Sequence, residues 1–321
     1  SFDVQKDITY DPAGPRPDQI VLLTASDGKG HNGGIQDIVP NAVQNRKEFC
    51  DVHGYINHFI NISKYNMGED THAVWKKLPA IVETFQTYPD AQWVWWLDLD
   101  AIIMTPSKPI EEKILSHAAI LKNIKRETEF VGSDRTPFHV FTEKDPDANE
   151  VDMLIAQDQN GLNAGSFMLR RSEWTAWLLE MWKDPIFRTM KDWPGREQDA
   201  LIHLATQHPK IRSHMGIVSQ RVLNAYPEGG SEMGWRKGDL VVHLAGCWVG
   251  DKCPQRWNKM WNQREIVPPS GTIITLQDKR EGEEKLKAAE AAERVKQEQK
   301  KIVEEDEGAG YEAWKLAQGP G

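Results

Sequence analysis

Two carboxylates, Asp98 and Asp100, stand one residue apart at the end of the apolar, tryptophan-rich run 93–97. Such a continuous apolar run is typical of a buried β-strand. Two buried carboxylates repel each other unless a cation lies between them, and open α/β sheets place their ligands at the carboxyl ends of strands. Asp-x-Asp also occurs by chance and in turn caps, so the metal interpretation depends on the buried strand before it. Oxygen ligands favour Mg²⁺ or Mn²⁺, which commonly hold substrate phosphates, so we expect a phosphorylated or nucleotide-activated substrate.

His243 is the candidate third ligand of this metal. It lies near the end of a short predicted strand, 240–244. A lone histidine more often has a structural role, but imidazole is also a common metal ligand and can complete a site that two aspartates begin. We therefore predict that Asp98, Asp100 and His243 hold a divalent ion together.

A glycine-rich loop, 25–34, follows the first predicted strand, 20–24. The loop lacks the Gly-Lys-Ser/Thr sequence of a P-loop and the glycine spacing of a dinucleotide fingerprint. It is either a flexible surface loop or the cradle of a nucleotide. In the second case, Ser26 and Asp27 are the residues that we expect to face the nucleotide.

Three further residues could bind a substrate. Lys77 lies in the predicted helix before strand 93–97, and its ammonium could reach phosphate oxygens. A single lysine, however, usually lies on a solvent-facing surface without a specific role. Asn163 and Gly165 lie at the start of another predicted strand, where small residues let a backbone approach a ligand. The amide of Asn163 could bind a sugar hydroxyl, or it could stabilise a tight turn.

Glu197, Gln198 and Asp199 stand at the start of a predicted helix. Acidic residues suit a helix N-terminus because of the helix dipole, so this position has a structural explanation. The functional alternative is that one of the three side chains faces the reacting carbon of the substrate.

The elements that must position these residues alternate between strands and helices in the first hundred residues. This β-α-β-α-β order predicts a parallel, doubly wound sheet, with Pro79 bending the second helix or marking its boundary. After strand 93–97 we predict two further strands and two helices, the first of the helices N-capped by Ser172. The predicted strands are 20–24, 55–62, 93–97, 163–169 and 240–244, and the predicted helices are 38–53, 73–88, 172–182 and 196–207.

The composition narrows the class of protein. The chain has 321 residues, of which 39% are hydrophobic and 13 are Trp, enough for one large α/β domain with additions. A net charge of −9 without a long basic block argues against nucleic acid or an anionic membrane surface as the main partner. We predict an N-terminal arm over 1–18, a catalytic domain over 19–272 and a charged helical extension over 273–321.

The cysteines and one sequon favour a secretory compartment. Cys247 and Cys253 are close enough in sequence to form a small disulfide, which leaves Cys50 as a buried thiol. Asn61 begins an N-glycosylation sequon. The sequence shows neither a run that could span a bilayer nor a signal peptide, so we interpret the chain as a lumenal fragment whose anchor lies elsewhere.

Together these segments resemble the family 34 glycosyltransferases. The family includes plant xyloglucan xylosyltransferases, fungal Golgi α-1,6-mannosyltransferases and fission-yeast α-1,2-galactosyltransferases. The resemblance covers about residues 19–268. The residues around Asp98 and Asp100 resemble those of the fungal branch of the family. Five motifs in order support it, namely WKKLP at 75–79, WWLDLDA at 95–101, GLNAGSF at 161–167, QDAL at 198–201 and HLAGC at 243–247.

The resemblance implies a GT-A (Rossmann-like) α/β fold, a nucleotide-sugar donor, Mn²⁺ and retention of anomeric configuration. It assigns Asp98, Asp100 and His243 to the metal and Lys77 to the vicinity of the donor. It assigns Asn163, Gly165 and Gln198 to the donor-sugar pocket. The plant pattern has a lysine after the cysteine that follows the metal histidine, where this chain has Trp248, so Lys252 could supply the diphosphate contact instead.

The leading hypothesis is therefore a Golgi α-1,6-mannosyltransferase that uses GDP-mannose and a mannan acceptor. The alternative is an α-1,2-galactosyltransferase that uses UDP-galactose, and an alternative of another class is a non-catalytic scaffold subunit of a Golgi complex. The mechanism is either attack from the leaving-group face or double displacement through Glu197 or Asp199. The full-length protein is expected to be a type II membrane protein with its catalytic domain in the Golgi lumen.

Overall fold

The computed structural model of the protein describes residues 1–4, 9–30, 33–190 and 192–267, and beyond these only 274–275, 287–288 and 291. The chain divides into two compact units, Ser1–Ile273 and Ile274–Gly321. The predicted charged helix over 278–307 falls almost wholly outside the described residues and stays a prediction.

Strands and helices alternate in the first hundred residues of the first unit, and runs of strands and of helices follow. The strands are β1 (Ile20–Ser26), β2 (Ile56–Asn61), β3 (Trp93–Leu97), β4 (Ala101–Ile103), β5 (Glu129–Val131), β6 (Pro137–Phe141), β7 (Met153–Asp158), β8 (Gly161–Arg170), β9 (Met215–Val218), β10 (Val241–His243) and β11 (Glu265–Ile266). The helices are α1 (Ile38–His53), α2 (Lys77–Thr87), α3 (His117–Asn123), α4 (Glu173–Trp182), α5 (Pro185–Arg188), α6 (Glu197–Gln207), α7 (Pro209–Arg212), α8 (Gln220–Leu223) and α9 (Cys253–Trp261).

The central sheet is mixed, with the strand order β2-β1-β3-β8-β7-β9. The predicted parallel arrangement is confirmed for β1, β2 and β3. It is wrong for β8, which runs antiparallel to both β3 and β7 because a tight turn at Gly161 reverses the chain. The strands β1, β3 and β7 consequently end at one edge of the sheet, where β8 begins. We call this the site edge.

β3 is buried on both faces, which explains its continuous apolar sequence. Val94 and Trp96 lie in a core cluster with side chains of α2, α4 and α6. Trp93, Trp95 and Leu97 lie in a second cluster with side chains of α1 and α3. A strand covered on both faces has no solvent-facing positions for polar residues, so its first polar residue marks the sheet edge.

The predicted helix over 73–88 has two parts. A 3₁₀ turn, Ala73–Lys76, leads into α2. Pro79 is the third residue of α2, where a backbone N–H would have no intrahelical partner, so the proline neither bends nor ends the helix. Ser172 caps α4 as predicted, because its hydroxyl accepts a hydrogen bond from the backbone N–H of Thr175.

The segment predicted as an N-terminal arm contacts the core at its described residues. Phe2 is buried and stacks on Phe85 of α2, with ring centroids 4.5 Å apart. The hydroxyl of Tyr10 donates a hydrogen bond to the carbonyl of Arg171 at the end of β8. Phe2 thus anchors the segment on the face of the sheet that α2 covers, and Tyr10 anchors it where β8 ends.

Candidate active site

A tight turn between β3 and β4, residues 98–101, holds the two predicted metal ligands. We call it the metal turn. The N–H of Asp98 donates to the carbonyl of Gly165 at 2.8 Å, and the N–H of Ala101 donates to the carbonyl of Asp98 at 3.1 Å. The indole N–H of Trp96 donates to Oδ1 of Asp98 at 2.6 Å, which orients that carboxylate. The side chain of Asp98 is 33% exposed, whereas Asp100 is buried. The turn therefore directs one carboxylate to solvent and one to the interior.

The third predicted ligand comes from a distant part of the chain. β10 pairs antiparallel with β4, and this register places His243 opposite Ala101. Nε2 of His243 lies 3.3 Å from Oδ1 of Asp100. One ligand atom from each of Asp98, Asp100 and His243 lies within 4.8 Å of the others. The structure thus brings together all three residues that the sequence assigned to the metal.

A neighbouring amide orients the imidazole. Nδ1 of His243 lies 2.7 Å from Oδ1 of Asn224, an oxygen that can only accept, so Nδ1 carries a proton and donates it. Nε2 is therefore the nitrogen that faces the carboxylates. Burial disfavours the charged imidazole, but Asp100 and Asp98 outweigh burial and raise the pKa of His243. Two carboxylates and an oriented imidazole form a donor set that suits a hard or borderline divalent cation such as Mn²⁺.

Gly165 leaves room for the imidazole. A Cβ atom at this position would lie 2.1 Å from Cε1 of His243, far inside van der Waals contact. The ring therefore packs directly on the backbone of β8. The residue that we predicted for the donor-sugar pocket thus also provides the surface on which the third metal ligand rests.

Gly165→Ala is expected to displace His243 and to weaken Mn²⁺ binding at least tenfold, roughly the loss expected when a metal ligand is misoriented. Titration of Mn²⁺ followed by electron paramagnetic resonance measures this affinity. Gly230→Ala is the matched control, since a Cβ atom there meets nothing within 4 Å, and its affinity should equal that of the wild type. Wild-type Mn²⁺ affinity in Gly165→Ala would contradict the packing argument.

Lys77 lies beneath the metal turn, buried to 3% exposure. Its Nζ donates to the carbonyl of Ala164 at 2.9 Å and pairs with Oε1 of Glu197 at 2.8 Å, while Oδ1 of Asp98 lies 3.8 Å away. Burial disfavours its charge, but Asp98 and Glu197 outweigh burial and raise the pKa of Lys77. The ammonium is a fixed counter-charge inside the protein, with its hydrogen bonds directed to protein groups.

The three residues that begin α6 have different partners. Glu197 is buried and paired with Lys77. Oε1 of Gln198 accepts a hydrogen bond from the N–H of Ala164 at 2.8 Å, which joins α6 to β8. Asp199 accepts from the N–H of Gly195 at 2.7 Å and so stabilises the turn before its own helix. Glu197 and Gln198 therefore support the metal turn, whereas Asp199 supports the start of α6.

Asn163 belongs to a polar cluster at the site edge. Its Nδ2 donates to Oδ2 of Asp158 at 3.0 Å and lies 3.1 Å from the hydroxyl of Tyr226, which itself donates to Asp158. Its Oδ1 accepts from the N–H of Gly165 at 3.0 Å. These bonds position the amide two residues from the glycine on which His243 rests.

Ser26 and Asp27 lie at the end of β1, on the same edge as the metal turn. Oγ of Ser26 accepts from the N–H of Gly28, and a carboxylate oxygen of Asp27 accepts from the N–H of Lys29, both at 3.0 Å. These bonds shape the start of the glycine-rich loop.

The predicted disulfide between Cys247 and Cys253 is present, and Cys50 is a buried free thiol as predicted. The disulfide closes a loop that follows His243 and carries Lys252, which is exposed. Trp248 in the same loop is 58% exposed.

Sequence reasoning missed Asn224 and Arg46. No motif marks Asn224. Arg46 had a usable signal, because it falls on the apolar stripe of α1 together with Ala42, Phe49 and Cys50. A charged residue on an otherwise apolar helix face indicates a buried polar partner.

Across the described residues, the helices are all too short or too polar to traverse a lipid bilayer.

Comparison with known proteins gives three findings. Residues 16–254 match the family model described as the galactosyl transferase GMA12/MNN10 family. An uncharacterized alpha-1,2-galactosyltransferase of Schizosaccharomyces pombe is 36% identical over 252 residues, which are 76% of this chain and 66% of that protein. The probable alpha-1,6-mannosyltransferase MNN10 of Saccharomyces cerevisiae is 34% identical over 285 residues, 78% of this chain and 70% of that protein. The chain thus spans about two thirds of the length of these curated relatives.

Among solved structures, a glycosyltransferase involved in the glycosylation of the major capsid of PBCV-1 is similar, with a TM-score of 0.51 and 15% identity. The match covers 75% of this chain and 98% of that one. At this identity the likeness concerns the fold alone, and it confirms the predicted α/β fold of the GT-A type.

Proposed function

Because the chain belongs to the galactosyl transferase GMA12/MNN10 family of glycosyltransferases, we propose that it transfers a hexose from a nucleotide-sugar donor to a glycan acceptor in a Mn²⁺-dependent reaction. The observation that carries this proposal is the convergence of Asp98, Asp100 and His243 at the site edge. A scaffold subunit has no need for such a costly group of buried ionisable side chains, which argues for catalysis.

The residues of the site would divide the work. Asp98, Asp100 and His243 would hold Mn²⁺, which when bound supplies a positive charge opposite the diphosphate leaving group. Asn224 keeps Nε2 of His243 directed at the carboxylates. Lys77 offsets the charge of Asp98 from inside the protein.

We propose that the reaction retains configuration by attack from the leaving-group face. The acceptor hydroxyl oxygen bonds to the anomeric carbon as the bond to the diphosphate breaks, and a phosphate oxygen takes the hydroxyl proton. Double displacement needs a free carboxylate nucleophile, but Glu197 is paired with Lys77 and Asp199 accepts a backbone hydrogen bond. These partners support the front-face mechanism.

GDP-mannose with a mannan acceptor is the first candidate substrate pair, and UDP-galactose is the second. The similarity to a probable alpha-1,6-mannosyltransferase supports the first. The similarity to several fission-yeast proteins named as alpha-1,2-galactosyltransferases supports the second.

We propose the Golgi lumen as the site of action, with an anchor in a part of the protein outside this chain and with membership of a glycosyltransferase complex. The disulfide between Cys247 and Cys253 supports an oxidising compartment. Asn61, the acceptor residue of the sequon, is exposed at the end of β2 and accessible to glycosylation.

Donor hydrolysis tests the proposal directly. Purified protein is incubated with GDP-mannose or UDP-galactose, with and without Mn²⁺, and release of the nucleoside diphosphate is measured. We expect turnover of one donor, only when Mn²⁺ is present, and its loss on chelation. If neither donor is consumed, the catalytic proposal fails and the scaffold alternative gains support.

A further inference from the structure

Helix α1 carries two polar residues, Asn45 and Arg46, on the face that it buries. Asn45 is 3% exposed and Arg46 is completely buried. Their neighbours on this face are apolar, so the two residues break the pattern that a helix needs for simple packing. Both side chains reach the segment that carries the metal ligands.

Arg46 bonds to both ends of the metal turn. One guanidinium nitrogen, Nη2, donates to the carbonyl of Asp98 at 2.6 Å and to the carbonyl of Ala101 at 3.1 Å. The other, Nη1, donates to the carbonyl of Ala42 within α1 at 3.1 Å. A planar guanidinium holds its N–H donors in fixed directions, whereas the donors of an ammonium rotate on a flexible stem, so Arg46 can fix the separation of the two carbonyls.

Asn45 holds the strand that follows the turn. Its Nδ2 donates to the carbonyl of Ile103 at 3.0 Å, and its Oδ1 accepts from the N–H of Ile103 at 2.8 Å. β4 pairs with β10 along its other edge. The amide thus replaces the backbone partner that a further strand would provide, and it fixes β4 to α1.

Burying the charge of Arg46 is energetically unfavourable. Burial lowers the pKa of Arg46 to about 10, against the favourable charges of Asp100 and Asp98, so the guanidinium stays protonated at neutral pH. Replacing a whole buried ion pair by well-packed apolar residues is often neutral or stabilising, so a gain in fold stability does not by itself explain why a charge is buried here. A role in the geometry of the turn does.

We propose that Arg46, assisted by Asn45, is a positioning residue that holds the Asp98–Ala101 turn in its metal-binding shape before the ion binds. Arg46 acts on the turn through backbone carbonyls. The inference rests on the proposed function, because it assumes that this turn binds Mn²⁺. Without these hydrogen bonds, binding of Mn²⁺ would also have to order the turn. The affinity for Mn²⁺ would therefore fall.

The test compares Mn²⁺ affinity, measured by electron paramagnetic resonance on the whole chain without donor, in the wild type, Arg46→Met and Arg46→Lys. We expect Arg46→Met to bind Mn²⁺ about 10- to 100-fold more weakly, the range seen when groups that orient metal ligands are removed. Arg46→Lys keeps the charge and can satisfy one carbonyl, so it should recover part of the affinity. It also provides a reading if Arg46→Met does not fold.

Arg171→Met is the matched control. Arg171 is likewise buried and donates to backbone carbonyls, at 2.8 Å to both Ala91 and Tyr88, but it lies at the opposite edge of the sheet. Its replacement should lower the thermal midpoint while leaving Mn²⁺ affinity unchanged.

Two outcomes would overturn the inference and can be told apart. If the wild type binds Mn²⁺ and both Arg46 variants bind it equally well, Arg46 is not a positioning residue and the proposed function stands. If the wild type itself binds no Mn²⁺, the metal assignment fails, and the inference that rests on it fails too.

Discussion

Asp100→Asn is expected to abolish Mn²⁺ binding and to lower kcat/KM for hexose transfer by about 10³-fold or more. Several kcal/mol of charge stabilisation come from a catalytic metal, and each 1.36 kcal/mol is about a tenfold change in rate. Asp100 is buried beside Nε2 of His243, so the amide removes a charge that no other described ligand of the site can replace. The substitution preserves the shape of the side chain, which separates loss of the metal from loss of packing.

The measurement pairs a Mn²⁺ titration with steady-state transfer kinetics. Asp18→Asn serves as the control, because Asp18 is 67% exposed and pairs only with Arg16 among its described partners at the surface. That variant should match the wild type in both assays. Transfer at the wild-type rate in Asp100→Asn, together with insensitivity to chelators, would refute the metal site.

Lys77→Met is expected to lower the free energy of unfolding by about 3–5 kcal/mol and to impair transfer. Breaking a buried ion pair by removing one partner leaves the other charge uncompensated, and that cost falls in this range. Here the uncompensated groups are Glu197, 5% exposed, and Asp98 in the metal turn. Methionine keeps the unbranched stem of the side chain and lacks only its terminal ammonium, so the effect reports mainly the charge and its hydrogen bonds.

Urea denaturation measures the stability change, and a double variant shows its source. Lys77→Met/Glu197→Gln removes both charges of the pair and should regain part of the stability, while transfer stays low because Asp98 still lacks its counter-charge. Lys47→Met is the control, since Lys47 forms an exposed pair with Asp51 and should change stability by less than about 1 kcal/mol. Strictly additive effects in the double variant would show that the buried pair is not a stabilising unit.

The strands and helices whose apolar pattern shows which of their faces are buried could be predicted closely. Strand 93–97 and helix 38–53 have the predicted bounds, because a continuous apolar run and a helical stripe each reflect the neighbours that cover them. The cap at Ser172 and the Cys247–Cys253 disulfide were also predictable, since both depend on residues only a few positions apart.

The direction of β8 was not predictable from this alternation. A strand's apolar pattern is the same whether it runs parallel or antiparallel to its neighbour, and the direction here depends on the short turn at Gly161. Fold class therefore followed from the order of elements, while the sheet's mixed topology did not.

The amino-acid sequence by itself determined which residues could bind a metal, because carboxylates at the end of a buried strand carry a cost that only a cation or a partner offsets. The tertiary structure alone decided that β4 pairs with β10 and so brings His243 to Asp100. It also decided that Lys77 faces Glu197 inside the protein and that Arg46 bonds to the metal turn from α1. The physical reason is that local sequence patterns record whether a residue is buried, whereas the hydrogen bonds and charges that compensate its burial come from residues that are distant in the chain.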